Sequence, residues 1–167
     1  MKKAVIISMF IVSLLAFAGV LFAQQLDKKT EQALIDSIND EYKAKATYQK
    51  VIDKFGAVQP FASIIKAEAT HIAELKTLFR KYKIAVPEDE WYGKIPAFST
   101  IQEACAAGMQ AEIDNVKMYD GLLEIAQEKD IVDTFKRLRA ASQEKHLPSF
   151  KRCATGSAGQ GGRMKGK

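Results

Sequence analysis

The segment KAEATHI, residues 66–72, places Glu68 and His71 three residues apart inside a long helical pattern. Residues three apart lie on one face of a helix, so this carboxylate and imidazole can converge on one ion. The apolar stripe of the same helix runs through Phe61, Ile64, Glu68, His71, Leu75, Leu78 and Tyr82. Two polar side chains thus occupy core positions, where they need partners, and we expect those partners to come from three other helices.

Glycine and proline residues divide the body of the chain into four predicted helices. Helix A covers about 26–55 and stops at Gly56, helix B about 60–82, helix C about 99–128 with Ser99 as its N-cap, and helix D about 130–150. Residues 83–98 could extend about 50 Å, further than the ~33 Å length of helix B. The sequence therefore predicts an all-α protein, a ferritin-like four-helix bundle with one long crossover between helices B and C.

Each of the other predicted helices also places a polar residue on its inward stripe. A glutamate from each of two helices, with a Glu-x-x-His pair from each of the other two, is typical of a carboxylate-bridged two-metal site. The candidate metal ligands are Glu41, Glu68, His71, Glu112, His146 and Gln143. Any one of them could be a satisfied core residue, but their repeated spacing favours a site.

Tyrosines follow Glu41 and Glu112 by seven residues, two turns along the same helix face. Tyr48 and Tyr119 either fill the bundle core or orient a ligand carboxylate from the second shell. Asn115 is a further second-shell candidate, with a purely structural role as its alternative.

These motifs together resemble an exported prokaryotic family of ferritin-like proteins whose function is uncharacterised. The resemblance covers roughly residues 30–153 and rests on DEYKA (40–44), FG (55–56) with PF (60–61), AEATH (67–71), AEIDNVKMYD (111–120), and AS (141–142) with HLP (146–148). It implies a ferritin-like bundle with a di-iron or related site, so iron, as two ions, is the expected cofactor. Manganese and zinc are alternatives, because both also accept imidazole and carboxylate ligands.

One residue departs from that resemblance. Gln143 stands where members of the wider superfamily with a complete site have glutamate, and a carboxamide is a weak, neutral ligand. We therefore expect an asymmetric site, with a stronger position near Glu41, Glu68 and His71 and a weaker one near Glu112 and His146.

The two cysteines, Cys105 and Cys153, are interpreted first as a disulfide, because an even pair in an exported chain favours one. Metal ligation and free thiols are the alternatives. Cys105 lies seven residues before Glu112 and Cys153 seven after His146, so on antiparallel helices the two reach a similar height.

Both ends of the chain differ from its body. The pattern of residues 1–23 predicts a secretory signal peptide, with an uncleaved membrane anchor as the alternative. Residues 154–167 are predicted to form a disordered, basic, Gly-rich tail. The net charge of +5 comes from these ends, since residues 151–167 hold five basic and no acidic residues. The bundle, residues 24–153, lacks the strong positive charge expected of a nucleic-acid-binding protein.

The sequence thus predicts an exported protein, periplasmic or extracellular, that handles iron or reduces peroxide or dioxygen with an external reductant. A non-catalytic structural or interaction module of the cell envelope is the alternative, and Gln143 favours it. A homo-oligomer is compatible with either.

Overall fold

The computed structural model of the protein describes residues 26–156. The predicted signal peptide, 1–23, lies outside this range, as does the predicted tail beyond its first three residues. The described part is an all-helical bundle. Its helices are α1 (Lys28–Phe55), α2 (Phe61–Tyr82), α3 (Ile101–Ile125), α4 (Lys129–Ala141) and α5 (Leu147–Ala154). A π-helical turn, Ser142–His146, joins α4 to α5 without a break, so these segments form one long helix.

The helix ends follow from local chemistry. Asp27 caps α1 by accepting hydrogen bonds from the backbone nitrogens of Lys29 and Thr30. Gly56 ends α1 with φ +83°, a conformation that favours glycine. The N-cap of α3 is Thr100 rather than the predicted Ser99, because the Thr100 hydroxyl accepts a hydrogen bond from the backbone of Glu103.

Contacts between helices fix their relative directions. α1 packs on α2 and α3, and α3 packs on α4 and α5. Tyr48 of α1 contacts Glu112 of α3, whereas the earlier Glu41 contacts the later Tyr119, so α1 and α3 are antiparallel. The link between α2 and α3 contacts α1 through a short 3₁₀ turn, Tyr92–Lys94.

Two apolar clusters fill the bundle, and a polar layer separates them. The first cluster includes Leu34, Ile38, Leu75, Phe79, Leu122, Ile131, Phe135 and Leu138. The disulfide cluster consists of Tyr48, Val51, Phe61, Ile64, Ala104, Cys105, Phe150 and Cys153. On α2 and α3 a buried glutamate lies between the residues of the two clusters, and on α1 the buried Glu41 lies beside Tyr42, the last residue of the first cluster on that helix. Apolar side chains therefore shield the polar layer from above and below.

The predicted pairing of the cysteines is present, since the sulfur atoms of Cys105 and Cys153 lie at bonding distance and join α3 to α5. Close to this link, a Cβ at Gly108 would lie 2.7 Å from Phe150 Cε1, nearer than real Cβ contacts allow. The glycine thus lets α3 approach the Phe150 ring closely. Within residues 26–156, no helix has the length and apolarity needed to span a membrane.

Candidate metal centre

Three side chains from α1 and α2 form a first trio, Glu41, Glu68 and His71. The His71 Nδ1 atom lies 3.1 Å from Glu41 Oε2 and 2.9 Å from Glu68 Oε2. Glu41 and Glu68 are each 2 % exposed. The three-residue spacing of Glu68 and His71 on α2 brings their side chains together, as the helical period predicts.

A second trio, Glu68, Glu112 and His146, joins α2, α3 and the π-helical turn. His146 Nδ1 lies 3.2 Å from Glu68 Oε1 and 3.5 Å from Glu112 Oε2. Glu68 therefore belongs to both trios and directs one carboxylate oxygen towards each histidine. The sequence analysis had assigned Glu68 to the first position only, because a single helix cannot reveal which neighbours its second oxygen meets.

The cluster places the carboxylates of three glutamates in a buried space beside two imidazoles, and this negative charge shifts the pKa values of its members. Burial opposes the charged form of both histidines, but the adjacent carboxylates outweigh it and raise the pKa of His71 to about 10 and that of His146 to about 9. Burial raises the pKa of Glu41 to about 8, while the neighbouring His146 and His71 and a hydrogen bond from Glu41 lower the pKa of Glu68 despite its burial. Protons on Glu41, His71 and His146 thus compensate the negative charge of the cluster, and bound metal cations would compensate it equally well.

Two buried tyrosines support the carboxylates in a crossed arrangement. Tyr48 of α1 donates to Glu112 Oε1 of α3 at 2.6 Å, and Tyr119 of α3 donates to Glu41 Oε1 of α1 at 2.7 Å. Each tyrosine therefore donates its hydrogen bond to the glutamate of the other helix and not to the glutamate of its own helix. Ser37, which the sequence analysis missed, lies 2.9 Å from the Tyr119 oxygen and extends this chain of hydrogen bonds.

Gln143 is the one candidate ligand that the structure does not bring to the cluster. It is exposed, and its Oε1 atom accepts a hydrogen bond from Arg139. The reason is the π-helical turn, which holds about one residue more per turn than an α-helix. The residue on the inward face one turn before His146 is therefore Ser142, which is 3 % exposed, and the expectation that Gln143 occupies a ligand position is wrong.

Asn115 also differs from its predicted second-shell role, because it bonds to no carboxylate of either trio. Its Nδ2 atom donates to Asp40 Oδ2 at 2.7 Å. Asp40, half-buried on α1, was missed because it lies beside the apolar stripe rather than on it. Only the neighbouring helix shows that it faces the bundle.

The donor set fits metal ions. Two ligand atoms about 2.1 Å from one ion, separated by 90–110°, lie about 3.0–3.4 Å apart, and the nitrogen–oxygen distances in the trios range from 2.9 to 3.5 Å. His146 Nδ1 is buried and has no hydrogen-bond partner among residues 26–156. Such an orphaned nitrogen between carboxylates is a suitable metal ligand. In each trio all three ligand atoms lie within 4.8 Å of one another.

Fold and site together define a helical-bundle protein with a buried carboxylate and histidine cluster able to hold metal ions. The family model described as "Uncharacterized protein domain (DUF2202)" matches residues 30–163, and the chain belongs to that family. The crystal structure of a hypothetical protein from Methanococcus jannaschii DSM 2661 is similar, with a TM-score of 0.72 and 22% sequence identity. The match covers 80% of this chain and 84% of that one, and it shows a shared fold. No curated protein matches significantly.

Proposed function

We propose that this protein is an exported, metal-binding ferritin-like protein whose polar layer holds two ions, iron in the first place and manganese or zinc as alternatives. Its proposed ligands are Glu41, Glu68, His71, Glu112 and His146. The position of Glu68 carries the proposal, because its two oxygens face two different histidines. If ions were bound, this carboxylate would supply one oxygen to each of the two positions.

The ferritin-like assignment rests on helix order and direction. α1 and α2 are antiparallel, since Tyr48 packs on Phe61 while the earlier Glu41 meets the later His71. With α1 antiparallel to α3 as well, α2 and α3 run in the same direction, which requires a link that crosses the length of the bundle. Such a link between the second and third helices is the ferritin-like connectivity.

The proposed reaction is oxidation of ferrous iron, or reduction of peroxide or dioxygen by an external reductant. Bound iron would supply the redox chemistry. The protein's own residues orient the ligands and exclude water: Tyr48 holds Glu112, Tyr119 holds Glu41, and the two apolar clusters close the layer from both sides. A cavity of about 70 Å³ between α1 and α3 reaches Glu68 and Glu112, and its size suits small molecules such as peroxide.

Metal analysis and anaerobic Fe(II) titration of residues 24–167 test the proposal, with Glu68→Ala and His71→Ala as variants. We expect about two ions per chain in the wild type and oxidation on adding air or peroxide. Glu68→Ala should lose both ions and the oxidation, whereas His71→Ala should lose one ion and the oxidation. Glu144→Ala is the matched control, because Glu144 is an exposed neighbour of His146 outside both trios. No binding by the wild type would refute the proposal.

A second candidate is a non-catalytic structural or interaction module of the cell envelope. The exposed position of Gln143 favours it, because the cluster then has three carboxylates, one fewer than a complete site with two Glu-x-x-His pairs. Binding of one ion without turnover in the same titration would support this candidate.

A further inference from the structure

Two adjoining cavities lie beside the metal centre between α1 and α3. The inner cavity, about 70 Å³, is lined by residues that include Asp40, Asn115, Glu68 and Glu112. An outer cavity of about 220 Å³ is lined by Asp36, Asn39, Asp40, Lys43, Trp91 and Met118. Asp40 and Lys43 line both cavities, so the two cavities adjoin at these residues, and Asp40 lies in the same cavity as the carboxylates of Glu68 and Glu112.

Asp40 and Asn115 present oxygen atoms at this position. The Asp40 carboxylate accepts a hydrogen bond from Asn115 Nδ2, which fixes the orientation of the amide. Asn115 is 6 % exposed, and its Oδ1 atom is buried without a hydrogen-bond partner among the described residues. A buried carbonyl oxygen that lacks a donor is stabilised by a cation as well as by a hydrogen bond. Carboxylate and amide oxygens are suitable ligands for divalent cations.

We propose that Asp40 and Asn115 form an uptake site through which divalent cations pass from the outer cavity to Glu68 and Glu112. This inference rests on the proposed metal-binding function and adds a transient ligand position outside the two trios. The site combines a negative charge with an unpaired oxygen, and it lies beside the second trio rather than the first. Cations would accordingly reach Glu68 and Glu112 before they reach Glu41 and His71.

Lys43 has the opposite effect on the same route. It lines both cavities, and its ammonium group lies 5.7 Å from the centroid of the Trp91 ring. A positive charge at the opening repels an approaching divalent cation, whereas Asp40 attracts it. Substitutions at these two residues should therefore change the rate of metal uptake in opposite directions.

Stopped-flow mixing of the metal-free protein with Co(II), followed by visible absorption at low ionic strength, measures this rate. We expect Asp40→Asn to load about tenfold more slowly or worse, with the same final amount of metal. Lys43→Gln should load several-fold faster. Asp40→Asn keeps an oxygen that can accept from Asn115, so the fold is preserved, and Asn115→Leu provides a second slow variant. Asp133→Asn, on the surface of α4 and paired with Lys129, is the control with unchanged rate.

The outcomes separate the two proposals. If the wild type takes up no cobalt or iron, the proposed function fails and the uptake site fails with it. If the wild type loads normally and Asp40→Asn loads within twofold of its rate, only the uptake site is refuted. A slow Asp40→Asn variant that also binds fewer ions would equally overturn it, because the residue would then belong to the metal centre itself.

Discussion

Replacing Glu68 should remove both metal positions, whereas replacing Glu41 or Glu112 should remove one. Glu68 supplies an oxygen to each trio, and the other two glutamates belong to one trio each. Free metal at a hundredfold excess over its dissociation constant stabilises the folded state by about 2.7 kcal/mol for each ion. A domain of about 130 residues unfolds with an entropy near 0.27 kcal/mol/K. Each ion should therefore raise the melting temperature by about 10 °C.

Thermal unfolding with and without added metal is the assay, and each variant is compared with its own metal-free form. We expect a shift of about 20 °C for the wild type, about 10 °C for Glu41→Gln and Glu112→Gln, and none for Glu68→Gln. Glu68→Gln also loses a charge between two imidazoles, which costs about 3–5 kcal/mol, but the comparison removes this loss. Glu144→Gln should behave as the wild type. A full shift in Glu68→Gln, or none in Glu41→Gln, would refute the shared-ligand arrangement.

Three further predictions concern pH, the tyrosines and the disulfide. Because the pKa values of the two cluster histidines are raised to about 10 and about 9, the folded metal-free chain binds more protons than the unfolded chain above pH 6.5. Its stability, measured by urea unfolding, should therefore fall as the pH rises from about 6.5 to about 10, and bound metal should reduce this decline. Tyr48→Phe removes the hydrogen bond to Glu112 and should lower the free energy of unfolding by about 1.5–3 kcal/mol in the same assay. Metal binding, measured by calorimetry, should also weaken; unchanged affinity would mean that the tyrosine only fills space. Replacing both Cys105 and Cys153 by serine opens a loop with a sequence separation of 48 and should lower the free energy of unfolding by about 4 kcal/mol. Two free thiols in the non-reduced wild-type protein, detected by mass spectrometry, would contradict the pairing.

Much of the fold follows from the sequence, because its signals are local. Gly56 and Pro60 mark the turn between α1 and α2, and the helical period places Glu41, Glu68 and Glu112 inside the bundle. These positions need only the geometry of a single helix. The same reasoning leads to the cluster, since the buried glutamates sit at matching heights on their helices.

The sequence analysis fails for residues whose position or partners cannot be deduced from the periodicity of a single helix. Gln143 is misplaced because an added residue in the π-helical turn changes which side chain faces inward, and the turn has no marker in the sequence pattern. Ser37 and Asp40 have short polar side chains, and only their partners on α3 reveal their roles. The sharing of Glu68 is likewise a property of three helices together, which the sequence of one helix does not contain.

The disulfide also constrains part of the cluster in the unfolded chain. The bond between Cys105 and Cys153 closes a loop that contains both Glu112 and His146. These two residues thus remain in one covalent ring after the helices have unfolded, while Glu41, Glu68 and His71 lie on the open part of the chain. Two of the five proposed ligands are therefore confined together in the oxidised unfolded chain, which lowers the entropy that is lost when the centre forms.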